Sequence, residues 1–314
     1  MNYHLKKAEP IEPETLQWLT KNIHDIPPMP ENWHRIQRII ENPNASIKAL
    51  SDVILNDPIL TAKILQVCNS SAFAIVGNKG IHDIQLAITR LGLDETGNLI
   101  FRTLAPALGD GAGARIQIRH IWMHSQIIAM LMDLLSRSVP GMSRRDASMV
   151  GIMHDIGKMV ILHIEDNKNL AAVKIAINQG VPTLEAEFKQ LGYTHIDAGM
   201  MLALHWKLPT HVRQFIEFHH HPASLPVDAI PAQLQQHMML LNLAHMIAQH
   251  FISDQTPSSS SNWANYRRSF SHHPGAFITD KLHLPLQDAD LITSLKAPIE
   301  FIKLQFPDLY PTQQ

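Results

Sequence analysis

The 314-residue sequence has a single cysteine, Cys68, so an intrachain disulfide framework is excluded. That scarcity fits a reducing compartment, and a cytoplasmic location is the expectation. Charge of one sign is also missing: 26 Lys and Arg against 28 Asp and Glu leave a net charge of −2. No field of that size steers nucleic acid or an anionic membrane surface. No uninterrupted apolar run is long enough to span a bilayer, and residues 1–7 lead into no apolar core of signal-peptide length. Alternating strand patterns are absent, which argues against a sheet. The glycine-rich stretch 108–114 has no strand before it and no Lys-Ser/Thr after it. It is therefore a junction between domains and not a phosphate-binding loop.

Apolar spacing of the helical kind is plentiful. Ser46 can cap a helix carrying Ile47, Leu50, Val53 and Ile54. Asp57-Pro58 reads as an N-cap with proline at the first helical position, followed by Leu60, Ile64 and Val67 on one face. Asp83 can cap a helix through Ile84, Ala87, Ile88 and Leu91, which Gly92 would close as a left-handed residue. Beyond the junction, helices are expected over about 121–135 and 143–163, the second apolar nearly all round and hence central. Thr194, with Asp197 three residues on, caps a helix running to about Trp206. A further helix starts at Pro209 and ends near Pro222, and a long one covers about 231–252. Residues 253–276 read as a surface loop, with a last helix around Leu291–Ile302. The fold class is therefore all-α, with an N-terminal helical bundle over 1–110, a second helical domain over 111–252, and a loop and C-terminal helix over 253–314.

Histidine is abundant, with 20 copies, 12 of them at or after His195. His124 shares a helical face with Ile128, Leu131 and Leu135. His154 lies on the central helix beside Asp155. His195 opens its helix, His219 follows the stripe of Val212, Phe215 and Ile216 with His220 adjacent, and His245 interrupts an apolar stripe. Inward imidazoles are costly unless each finds a partner. A shared divalent metal, one or two ions of Fe, Mn, Ni or Zn, would satisfy them together, with Asp155 able to bridge two ions. The alternative is a hydrogen-bonded cluster without metal. His211, His221, His237, His250, His272, His273 and His283 are expected at the surface.

His154-Asp155-Ile156-Gly157-Lys158 resembles the signature of HD-superfamily phosphohydrolases. The resemblance implies that His124 is the upstream metal ligand and that His195, His219 and His220 are the ligands of a second ion, as in the HD-GYP-like branch. It also makes Asp155 and Lys158 the catalytic pair, Lys158 holding phosphate. The family's downstream aspartate is replaced by His245, and His221-Pro222-Ala223-Ser224 stands where Gly-Tyr-Pro would follow. Ile26-Pro27-Pro28-Met29-Pro30, Asp57-Pro58-Ile59-Leu60-Thr61, Cys68 to Phe73, Ala87 to Gly92 and His205-Trp206-Lys207-Leu208-Pro209 narrow the match. Over residues 20–250 the chain resembles HDOD domains, the output modules of the HD type. That resemblance implies an HD-like helical domain behind the N-terminal bundle. It also implies a non-catalytic signal-output or scaffold module with a signalling protein partner, and a metal site that is structural or vestigial. The alternative is a metal-dependent phosphohydrolase acting on a nucleotide or cyclic dinucleotide. Asn69 and Ser70 are expected to shape the local chain through side-chain hydrogen bonds.

Overall fold

The computed structural model describes residues 10–26, 31–42, 44–56, 58–69, 81–104, 115–220, 230–253, 282 and 284. Those residues form helices and turns, with no strand among them, and the fold is all-α. The chain divides into two compact units, residues 27–108 and residues 1–26 with 109–314. The first helix thus groups with the second unit, whereas the sequence placed it with the N-terminal bundle.

The unit 27–108 holds α2 (Glu31–Ile40), α3 (Ile47–Leu55), α4 (Pro58–Cys68), α5 (Ile84–Leu91) and α6 (Leu93–Leu104). Ser46 and Asp83 cap α3 and α5 as expected, accepting from the backbone N–H of Ala49 and Leu86. Each such cap contributes about 1 kcal/mol. Gly92 ends α5 at a φ of +83°, but its ψ of 161° sends the chain straight into α6 instead of a left-handed helical turn. Ile36, Leu50, Ile54, Leu60, Ile64, Ile88 and Ile100 are buried and form the core. Full burial stabilises by roughly 1.5–3 kcal/mol for each large aliphatic side chain. Asn69 ties the end of α4 to the chain before α5. Its amide donates to the carbonyls of Leu65 and Ile81, and its oxygen accepts from the Ile81 N–H. The proposed cap Asp57, Ser70 and the glycine-rich stretch lie outside the described residues, as do the 253–276 loop (beyond Ser253) and the helix expected at 291–302.

The other unit holds α1 (Pro13–His24), α7 (Arg115–Ser136), α8 (Arg144–Met153), α9 (Ile156–Ile164), α10 (Asn167–Asn178), α11 (Thr183–Leu191), α12 (His195–His205), α13 (Thr210–Phe218) and α14 (Ala232–Ser253). Met123, Ile127, Leu131 and Leu135 of α7 pack with Ala147 and Val150 of α8 and with Leu234, Met238, Leu241 and Ala248 of α14. Residues 146–164 are apolar enough to cross a membrane by length and composition, but most of their surface is buried inside this unit.

Four expectations change. The single helix expected over 143–163 is two helices, broken at His154-Asp155. Asp155, with φ −102° and ψ 12°, lies near the bridge region often used by functional residues. The helix expected to reach Pro222 ends at Phe218, so His219 and His220 sit at its end. His237 is not at the surface: its ring lies 5.6 Å from Phe215, and burial lowers its pKa. His211 is half-buried, its ring 5.8 Å from that of Phe215. His221, His272, His273, His283 and the side chain of His250 lie outside the description.

Candidate metal centre

Five elements of one unit carry the histidines inward: α7, the α8–α9 turn, the start of α12, the end of α13 and α14. Two helix crossings are close because glycine allows them. A Cβ on Gly151 would lie 2.3 Å from the Ala129 backbone of α7. One on Gly157 would lie 1.7 Å from the His195 carbonyl oxygen of α12. Real Cβ atoms do not approach backbone that closely, so both positions require glycine. The second crossing sets Asp155, two residues before Gly157, against His195. The capping box of Thr194 and Asp197 fixes where α12 starts.

The histidines gather into two triads. Ligand-capable atoms of His124, His154 and His245 all lie within 4.8 Å of one another, and so do those of His195, His219 and His220. In the first triad, His154 Nε2 and His245 Nε2 are 3.1 Å apart, and the His124 ring lies 5.2 Å from that of His245. In the second, His195 Nε2 is 3.1 Å from His219 Nε2 and 2.9 Å from His220 Nε2. Asp155 faces both triads. Its Oδ2 lies 3.2 Å from His154 Nε2 and accepts from Lys158 Nζ at 2.8 Å. Its Oδ1 lies 3.6 Å from His219 Nε2 and 3.8 Å from His195 Nε2. All seven residues named from the sequence for metal, and Lys158, are therefore drawn to one place.

Hydrogen bonds on the far side of the rings decide what faces the middle. His154 Nδ1 donates to the Gly151 carbonyl at 2.8 Å, His219 Nδ1 to Ile216 at 2.6 Å and His245 Nδ1 to Leu241 at 3.0 Å. A carbonyl only accepts, so each Nδ1 carries the proton and each ring directs its Nε2 inward, a lone pair whenever the ring is neutral. His195 Nδ1 donates instead to Glu187 Oε2 at 2.6 Å, and the His195 backbone N–H donates to the same oxygen at 2.9 Å.

Burial favours the neutral form of five of the rings. It lowers the pKa of His124 to about 4 and that of His220 to about 2, with the Lys158 ammonium adding to the effect. Burial also lowers His195, His219 and His245. For Asp155 burial acts upward, but the Lys158 ammonium beside it holds the carboxyl well below the usual range. Burial pushes Glu187 up to about 7, against the pull of the His195 backbone N–H.

Neutral lone pairs facing one another at about 3 Å cannot hydrogen-bond each other; a cation between them removes the conflict. Three imidazoles and a carboxylate oxygen form a donor set that suits divalent transition metals, so the residues fit such an ion at each triad. Glu187 was not among the residues singled out from sequence. The signal was there: it lies on the helical stripe of Leu184, Phe188 and Leu191, and it is buried.

Comparison with known proteins bears on this arrangement. An uncharacterized protein of Treponema pallidum (strain Nichols) is 26% identical over 221 residues, which is 68% of this chain and 41% of that protein. The chain thus spans about two fifths of that relative's length. The fold is similar to that of an HDOD domain protein of unknown function from Geobacter sulfurreducens, with a TM-score of 0.69 and 21% identity, covering 96% of this chain and 100% of that one. It is similar to a candidate phosphohydrolase from Shewanella amazonensis SB2B at TM-score 0.67 and 23% identity, covering 93% and 97%. A candidate metal-dependent phosphohydrolase of the same organism has TM-score 0.57 and 15% identity, covering 93% and 99%. Residues 26–222, well over half of the chain, match the family model of the HDOD domain, and the chain belongs to that family.

Proposed function

We propose that the chain is a signal-transduction output module whose second unit holds one or two divalent metal ions and grips a phosphate-bearing ligand there. Its output passes to a protein partner, and turnover is slow or absent. The observation that carries the reading is the pair of histidine triads facing a shared Asp155, with the Nε2 lone pairs directed inward. The first ion would be held by His124, His154, His245 and Asp155, the second by His195, His219, His220 and Asp155. Such ions supply Lewis-acid polarisation of a phosphoryl oxygen and acidification of a water. Lys158, 30% exposed at its side chain and bonded to Asp155, offers a mobile ammonium for a phosphate oxygen. His245 in place of the family's aspartate leaves one carboxylate among six imidazoles. The centre stays strongly positive and holds a phosphate product tightly, which favours binding over release.

A second reading, a phosphohydrolase acting on a nucleotide or cyclic dinucleotide, is favoured by one observation. Each oxygen of Asp155 faces a different triad, the placement a two-ion hydrolytic site uses. The descriptions of the two Shewanella proteins point the same way. Metal analysis and a turnover screen decide between the two. Purified chain supplied with Mn, Fe, Ni or Zn is expected to retain metal and bind inorganic phosphate. Asp155→Ala, still folded, is expected to lose both properties, and His154→Ala to lose the ion of its own triad. Metal-dependent hydrolysis of nucleotides, cyclic dinucleotides or phosphomonoesters that both variants abolish would replace the first reading with the second.

A further inference from the structure

The two triads have the same three ring donors but different surroundings. In the first, His154 and His245 lean on backbone carbonyls, which carry no net charge. The carboxylate oxygen facing that triad, Asp155 Oδ2, is also bonded to the Lys158 ammonium, which offsets its charge. In the second triad, Asp155 Oδ1 lies on the other side of the carboxylate from the Lys158 bond. Behind His195 stands Glu187, with a single oxygen accepting both the ring Nδ1–H and the backbone N–H of the same residue. Glu187 is 4% exposed and His195 is fully buried, so water screens this pair little.

A carboxylate behind a ligating imidazole does two things that a carbonyl does less well. It raises the electron density at the other ring nitrogen, and it adds a negative charge that a bound cation feels through the ring. The double acceptance also pins the ring plane, so less freedom is lost when a metal binds. Resting on the reading of these triads as metal-holding, we infer that Glu187 is a positioning residue that makes His195, His219 and His220 the tighter position. The His124, His154 and His245 position then fills second. Partial metal supply would give a half-loaded centre with a structural ion beside Asp155 and an open position near Lys158.

Titration of the metal-free full chain with Co2+, followed by visible absorption and calorimetry, tests the order. Two uptake steps are expected. Glu187→Gln keeps the shape and an accepting oxygen but removes the charge, and it should weaken the tighter step by about 10–100-fold while leaving the weaker one in place. Glu187→Asp should recover part of the loss. His220→Ala, which does not touch Glu187, should remove the tighter step, and His124→Ala should remove the weaker one. A tighter step that is indifferent to Glu187→Gln, or one removed by His124→Ala, overturns the assignment to Glu187 while the metal centre stands. No uptake by the unaltered chain overturns the metal centre itself and this inference with it.

Discussion

A buried imidazole resists protonation, and in the metal-free chain that resistance has a sign. Histidine in the unfolded chain titrates near pH ~6.5. In the folded chain His124 titrates at about 4 and His220 at about 2, and His195, His219 and His245 are lowered as well. Between these folded values and the unfolded one, the unfolded chain binds more protons. Stability therefore falls as pH falls below about 6.5, by up to ~2 kcal/mol for each such histidine at about pH 5. Glu187 acts oppositely: its folded pKa of about 7 lies above its unfolded value, so it adds stability as pH drops from about 7 towards the ordinary carboxylate range. Five histidines outweigh one glutamate. Chelator-treated protein should melt at a lower temperature at about pH 5 than at about pH 7.5. A flat or rising profile would contradict the neutral, inward-facing rings.

At the scale of helices, Gly157 joins α9 to α12. A methyl group there meets the His195 carbonyl and the Gly199 N–H, both backbone, so the helices must part. Gly157→Ala should cost about 1–3 kcal/mol or more by overpacking. It should also draw Asp155 away from His195 and His219 and impair metal uptake at that triad. Thermal unfolding and metal titration read the two effects separately; an unchanged melting temperature with full uptake would show that the crossing is loose. The helices whose starts carry a side-chain cap and an apolar stripe, α3, α5 and α12, were legible from sequence. So was the family of the chain, through several ordered motifs. Five helices, α1, α2, α6, α10 and α11, were not. α10 buries none of its residues, which leaves its apolar stripe little to pack against, and α11 turns a glutamate inward. An exposed stripe in α10 and a buried charge on the stripe of α11 hid both helices. The break between α8 and α9 was hidden for a different reason. The apolar run continues across it, and the turn follows from where the His154 and Asp155 side chains must go. Inward direction for His124, His154, His219 and His245 could be argued from helical spacing. Their sorting into two triads could not, because it depends on how five elements cross.

Across the whole molecule, all the donors named for metal lie in the unit that includes residues 109–314, and none lies in residues 27–108. An ion held by one triad closes a loop through α7, the α8–α9 turn and α14; the other closes one through α12, the end of α13 and the same turn. Opening any of these elements then requires release of the ion. A ligand that binds only the folded state stabilises it by about 2.7 kcal/mol when its free concentration is ~100 times its dissociation constant. That free energy should appear as slower amide exchange in the core of α7, α9, α12 and α14 when Zn2+ is added to chelator-treated chain. Amides of α3, α4 and α5 should be unchanged, since no donor ties them to the ion. Hydrogen-exchange mass spectrometry of the full chain, with and without metal, reads both units in one experiment. Protection that rises equally in both units would mean that metal acts by general association or aggregation. Protection confined to the second unit, and lost in Asp155→Ala, would place the ion among the histidines. The same comparison with inorganic phosphate added to the metal-loaded chain should deepen protection at α9, where Lys158 and Asp155 stand, if the centre grips a phosphate-bearing ligand.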